Sequence, residues 1–464
     1  MSKTPVSLNN FFVFNSSFCD REDDEHRKLL YYYPDNVDIN AKARSVGLCE
    51  ALIKFTETFG STSCEALHTQ KTTQVFLQPE KEFWMVMTLN VPCQQKVRDG
   101  QPYMEYFSDE IQDHIYQSLL LKAYRMFTLI NGTFHDIVEK EMDGILTLKK
   151  SLCQFFDSYL VSLKSNDADL LDIFQGIHFL PLERYSFLKI LCFINQVEEK
   201  FRCIRYPIFL YNDQLVWSGL EPDDMQILYQ HLSSDLIPSF IDSELKGGIY
   251  SPSRMSPMGS GMHFGRFMTG PKTIDDVSGL KNTPKIYLNG GKIGCYLISY
   301  RALNATFCLL LDDTFPLHLE LFKSLDAEIG QQLSNLASEI GEQYSKTITN
   351  LNNEQQAKVM YMYFNHMNLA EKTTIHADMK KSGHSLVSSD IMKLFADVYS
   401  DLSKMKDFGE IMGKTVSDCW IAGKLSDERE LYVVVQQKNA NIVEVNEELK
   451  KLSTSQFQNI FIWD

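Results

Sequence analysis

Few residues of this chain stand at spacings that could do chemistry. Asp223-Asp224 and Asp312-Asp313 are adjacent carboxylates of the kind that share a proton or hold a cation. The first pair follows Glu221-Pro222 and precedes an apolar-periodic run, so it reads as the acidic first turn of a helix. NGGKI (289–293) sets glycines before a lysine as a phosphate cradle does, but lacks the upstream glycine and the Ser/Thr that would hold magnesium. It reads as a tight turn between two strands. GSGMHFG (259–265) lacks the third glycine of the dinucleotide fingerprint and follows no strand, so a flexible loop is expected. His366 and His376 flank a polar segment and suit hydrogen bonds near strand ends better than a metal. No HExxH, EF-hand loop or GxSxG elbow occurs. The expectation is a protein with no catalytic residue, no metal and no cofactor.

Composition narrows the partners. With 45 basic and 60 acidic residues the net charge is −15, a field that repels nucleic acid and anionic lipid. The doublets Lys149-Lys150, Lys380-Lys381 and Lys450-Lys451 are isolated and read as solvated surface. Ten cysteines without a CxxC suggest reduced, mostly buried thiols. No apolar run approaches the roughly 20 residues of a membrane span; the longest are stretches such as FCLLL (307–311). MSKTPVSLNN has no signal-peptide core, so a cytoplasmic chain is expected, carried to membranes only by partners.

The length suggests about three domains of roughly 150 residues, and a repeated pattern gives them content. FFVFN (11–15), IFLYND (208–213) and YMYFNH (361–366) are aromatic strands that run into an Asn turn. Each leads through a second strand-like or apolar-polar run to a helix. The helix residues are Leu48, Leu52, Phe55 and Phe59; then Met225, Leu228, Tyr229, Leu232 and Leu236; then Ile391, Leu394, Phe395, Val398 and Leu402. Further strands and a closing helix complete each unit. The pattern is α+β, antiparallel sheets sandwiched by helices. The domains are expected at 1–165, 166–350 and 351–464, with extra helices near 133–163 and 181–201. A Gly/Pro/Ser-rich loop at 246–284 interrupts the second unit, and its Ser251-Pro252 and Ser256-Pro257 are candidate phosphorylation sites.

Particular strings go further. GLCEALIKFTETF (47–59), LHTQK (67–71), FWMVM (83–87), DLLDIF (169–174), FLYNDQLVWSGLEPDDM (209–225), YFNHMNLAEKTT (363–374) and QKNANIVEVNEELKKL (437–452) resemble the Ccz family, one of the two subunit families of the Mon–Ccz complex. The resemblance implies three tandem longin domains. It further implies a subunit of a guanine-nucleotide exchange factor for the late-endosomal and vacuolar Rab GTPase, acting in endosome maturation, lysosome fusion and autophagy. The implied partners are a Mon subunit, paired through the first longin domains, the Rab itself and, in animals, a third scaffold subunit. A non-catalytic adaptor of a related trafficking or ciliary complex shares the fold and is the competing reading.

Two surfaces in the first unit are candidate interfaces. The stripe Leu48, Leu52, Phe55 and Phe59 suits a sheet, which leaves Val46, Cys49 and Ile53 on neighbouring faces for a second neighbour. That neighbour is either the partner subunit or the chain's own 133–163 helices. The acidic cluster Asp20, Glu22, Asp23, Asp24 and Glu25 is either a solvated turn or a surface that steers a basic partner.

Overall fold

Aromatic and β-branched runs build three mainly antiparallel sheets, each faced by helices. The computed structural model describes residues 3–18, 27–60, 64–98, 100–140, 142–163, 168–246, 254–255, 262–271, 277–354, 359–375, 387–437, 439–457 and 460–461. The chain divides into two compact units: Met1–Ile173 with Gly290–Lys292, and Phe174–Asn289 with Ile293–Asp464.

The first unit holds β1 (Ser7–Asn15), β2 (Leu29–Tyr33), α1 (Ile39–Glu57), β3 (Ala66–His68), β4 (Thr72–Glu80) and β5 (Phe83–Asn90), with sheet order β2-β1-β5-β4-β3. Alternate residues of β1 go to opposite layers, as the two-residue strand period requires. Phe12 and Phe14 join Tyr32, Phe76, Trp84 and Val86 in the core under α1. Phe11 packs instead on Phe156, with ring centroids 4.8 Å apart. Phe156 belongs to α4 (Gly144–Ser162), which follows a hairpin of β6 (Cys93–Arg98) and β7 (Gln101–Tyr106), α2 (Asp113–Asn131) and α3 (Phe134–Lys140). The Glu80 carboxylate accepts from the backbone N–H of Phe134 at 2.6 Å and of His135 at 2.8 Å, satisfying donors that open α3. α5 (Leu170–Phe174) leads out of this unit.

Among the described residues the second unit contains two six-stranded sheets and a two-stranded pair, β11 (Arg254–Met255) with β12 (Met262–His263). One has the order β10-β9-β16-β15-β13, with β14 also on β15. Its elements follow β8 (Ile177–His178) and α6 (Arg184–Lys200). They are β9 (Ile204–Tyr211), β10 (Gln214–Ser218), α7 (Pro222–His231), α8 (Ile237–Lys246), β13 (Arg266–Phe267), β14 (Lys285–Leu288), β15 (Ile293–Ala302), β16 (Ala305–Asp312) and α9 (Leu319–Glu354). Phe193, Phe209, Phe307, Phe322 and Leu325 share the core between this sheet and the helices α6 and α9. The other sheet has β17 (Val359–Asn365), β18 (Ala370–Thr373), β19 (Phe408–Lys414), β20 (Trp420–Ser426) and β21 (Arg429–Val435), with order β19-β20-β21-β17-β18-β8. Helices Ser389–Leu402 and Ile442–Phe457 accompany it.

β8 is a staple between these two sheets. It pairs parallel with β18, and the adjacent Phe179 forms a parallel bridge to Leu215 of β10. Gly176 N–H donates to the buried Glu371 carboxylate at 2.9 Å, and Phe174 stacks on Phe364 at 4.6 Å. A Cβ at position 176 would stand 2.2 Å from that of Glu371, so only glycine fits.

The 246–284 segment departs from the expected loop. Among its described residues, His263, Phe267 and Thr269 are buried, and β13 adds to the second sheet. Its glycines were expected to confer flexibility; Gly265 and Gly270 instead allow close approach to Tyr300 and Phe322. Ser251, Ser256, Lys380, Lys381 and His376 lie outside the described residues.

Candidate partner surface

α1 is positioned by an N-cap, with the Asp38 carboxylate accepting from Asn40 N–H at 3.0 Å. Its inner face is the reverse of the expected one. Val46, Cys49 and Ile53, expected to face a second neighbour, are buried on the sheet. Leu48, Phe55 and Phe59, expected to face the sheet, are 57%, 61% and 76% exposed. Both sets recur at helical spacing, so periodicity alone permits either. Packing volume decides: Phe12, Phe14, Tyr32, Phe76 and Trp84 already fill the sheet's face, and the smaller Val46, Cys49 and Ile53 let the helix approach closely.

Charge fixes the rotation further. Glu50 is also buried and lies between two lysines, with Lys28 Nζ 2.7 Å from one carboxylate oxygen and Lys54 Nζ 2.7 Å from the other. Burial pushes the Glu50 carboxyl upward, but its bonds to Lys28 and Lys54 outweigh that and hold it below the ordinary 4.5. Burial raises the Cys49 thiol to about 12, so it is an unreactive packing group. The nine described cysteines are all free.

The outward face is therefore the candidate site. Phe55 and Phe59 meet edge to face with centroids 4.8 Å apart, and Leu48, two turns before Phe55, extends the apolar face toward the start of the helix. The chain's own α4 packs through Phe156 on Phe11, on the sheet face opposite α1, so it does not cover these residues. The acidic residues Asp20, Glu22, Asp23, Asp24 and Glu25 lie outside the described residues.

The residues considered for chemistry have structural partners. Asp312 Oδ1 accepts from Thr314 N–H and Oγ1–H, and Asp313 pairs with Lys285 at 2.8 Å. Asp223 and Asp224 stand in the first turn of α7, where Asp224 accepts the Asn289 N–H at 3.0 Å. NGGKI forms the turn between β14 and β15, with positive φ at Asn289, Gly290 and Gly291. His366 lies 2.7 Å from Glu430. Among the described residues no group of three or more His, Cys, Asp or Glu is placed to hold a metal. No helix among them is long and apolar enough to cross a membrane.

Three such sheets with their flanking helices define a protein of tandem longin domains. The profile of the first longin domain of INTU, CCZ1 and HPS4 matches residues 8–132, and those of Intu longin-like domains 2 and 3 match 204–332 and 355–452. The chain is 47% identical to a vacuolar fusion protein CCZ1 homolog of Nematostella vectensis, over 100% of this chain and 99% of the relative. It is 44% identical to that of Xenopus tropicalis (99% and 98%) and 30% identical to that of Dictyostelium discoideum (98% and 98%). The chain belongs to the CCZ1 family of longin-domain vacuolar fusion proteins.

Proposed function

We propose that this chain is one subunit of a heterodimeric exchange factor for a late-endosomal Rab GTPase, its partner being a Mon-type longin protein. The observation that carries this reading is the outward face of α1 and the turn that follows it, where Leu48, Phe55 and Phe59 lie exposed. Large apolar groups grouped on one face are the usual core of a protein interface. In the assembled pair, the two first domains together form the platform for the GTPase. A third scaffold subunit joins the pair in animals, and the complex as a whole is recruited peripherally to late-endosomal and lysosomal membranes.

Exchange of this kind needs no nucleophile. The complex binds the nucleotide-free GTPase more tightly than the loaded one, and by linkage it weakens nucleotide binding by the same factor. Each ~1.4 kcal/mol removed from the release barrier gives about tenfold in rate. The test is release of labelled GDP from a panel of Rabs, with and without the Mon partner. The expected result is acceleration for the late-endosomal Rab by the pair and little by this chain alone. No acceleration by a co-purified pair would overturn the exchange role and leave an adaptor. Full activity of the isolated chain would overturn the shared platform.

A further inference from the structure

Within the inserted segment of the second longin domain, the side chains of Met262–Pro271 enter fitted places. The His263 ring is fully buried over Gly330 of α9, where an added Cβ would stand 2.7 Å from the ring. His263 Nδ1 accepts the Gly265 N–H at 3.1 Å, which puts the ring proton on Nε2, 3.5 Å from an Asp326 carboxylate oxygen. The other Asp326 oxygen accepts the Tyr300 hydroxyl at 2.8 Å. Phe264 N–H donates to Ser334 Oγ at 3.2 Å, one turn further along α9. Phe267 meets Tyr300 and Phe322 edge to face at 4.8 and 5.1 Å.

The backbone is held more lightly. β13 contributes only the register pairs Arg266↔Arg301 and Phe267↔Tyr300, followed by Met268 N–H to Ser299 O at 2.8 Å. Beyond these a side chain stands in for the ladder to β15: Thr269 Oγ1 donates to Leu297 O and accepts from Ser299 N–H, both at 2.8 Å, while Gly270 N–H donates to Asn282 O at 3.2 Å and, at the other end, Met262 and His263 pair with Met255 and Arg254. By contrast β15 and β16 share eight register pairs. The strand pairing also contains a conflict, because two arginines stand directly opposite each other and like charges in that position repel. Glu244 of α8, 3.3 Å from Arg266, relieves it; burial lowers the Arg301 guanidinium's hold on its proton, and Asp213 and Glu244 oppose that only in part.

We propose that Met262–Pro271 is a peptide bound in cis: a strap on a peptide-binding seat formed by the outer edge of β15 and one face of α9, releasable while the sheet beneath stays folded. The seat selects an extended segment with a histidine and, four residues on, an aromatic ring. Asp326 and Gly330 recognise the imidazole, Phe322 and Tyr300 the ring, and the edge of β15 the backbone. Two register pairs to β15, against eight in the β15–β16 ladder, and an opposed arginine pair make opening of the strap less costly than opening of that ladder, His263 and Phe267 being its main buried anchors.

The experiment uses the full chain and follows trypsin cleavage after Arg266 by mass spectrometry, with hydrogen exchange at the Met268 and Gly270 amides. In the native chain these amides should exchange well before those of the β15–β16 ladder. Gly330→Ala fills the imidazole seat while favouring the helix, and should speed cleavage at least tenfold with an unchanged thermal midpoint. Glu244→Gln, which unmasks the arginine pair, should act in the same direction and decides the matter if Gly330→Ala lowers the midpoint. A synthetic peptide spanning Met262–Pro271, added in excess, should displace the strap and raise cleavage in the native chain but not further in Gly330→Ala. Exchange of the strap amides only together with the ladder, or cleavage unmoved by both substitutions, would make this segment an ordinary edge strand and overturn the proposal.

Discussion

α1 of the first domain and the helix Ser389–Leu402 of the third occupy equivalent places, each following an aromatic strand and its hairpin partner and crossing one sheet face. Both begin with a side-chain cap, Asp38 in one and Ser388 in the other. Inside they are alike: Val46, Cys49 and Ile53 in the first, and Ile391, Phe395, Val398 and Leu402 in the third, are buried. Outside they differ. The third-domain helix presents Asp397 and Asp401 to solvent, whereas α1 presents Leu48 and Phe55, with Phe59 in the turn just past its end. One scaffold thus separates two tasks, since holding the sheet uses the inner face and leaves the outer face free to be polar or adhesive.

This contrast can be broken from the inside first. Ile53→Asp and Phe395→Asp each bury a charge in an apolar core and should cost about 4 kcal/mol or more, seen as loss of the corresponding domain's transition in urea unfolding. A milder outcome for Ile53 would mean that the inner face of α1 is not packed. Next, Glu50→Gln should cost about 1–3 kcal/mol by leaving Lys28 and Lys54 without their buried carboxylate. Because the Glu50 carboxyl is held below its ordinary 4.5, its contribution is complete above that pH and fades as the pH falls through the lowered value. The difference in thermal midpoint between native and Glu50→Gln chains should therefore be full at neutral pH and close under acid; a gap independent of pH would rule out the ion-pair account.

The outer faces come last because they should barely move stability. Phe55→Asp is expected to change it by no more than about 0.5 kcal/mol yet to abolish co-purification with the Mon partner; retained binding would remove α1 from the interface. Asp397→Ala, at the matching face of the third domain, should leave binding unchanged and alter stability by no more than about 0.5 kcal/mol. An effect as large as that of Phe55→Asp would show that the two helices are not functionally distinct.

The sheets were legible because aromatic strands ending in Asn turns carry their own signature at 11–15, 208–213 and 361–366. The rotation of α1 was not, since Val46/Cys49/Ile53 and Leu48/Leu52/Phe55/Phe59 are both sound helical stripes and size favoured the wrong one. Burial of the smaller set depends on how much volume the sheet's aromatics have already taken, which is a tertiary quantity. The β6–β7 hairpin escaped notice because its strands face solvent and lack a buried alternation. The strap is not legible in the sequence, because its glycines look the same whether they loosen a loop or admit Tyr300. β8 has two residues, too few for any periodicity, and its partner strand is far away in the chain.

That distance sets a timetable for synthesis. Gly176 and the Glu371 that receives its N–H are 195 residues apart, so at about 5–20 residues per second the strand precedes its partner by roughly ten to forty seconds. During that interval the second domain must fold beside an unanswered strand. Bringing the third domain's β18 edge to β8 is thus among the last acts of folding, and a chain cut between the first and second domains anywhere after Gly176 would lose the third domain's edge along with the first.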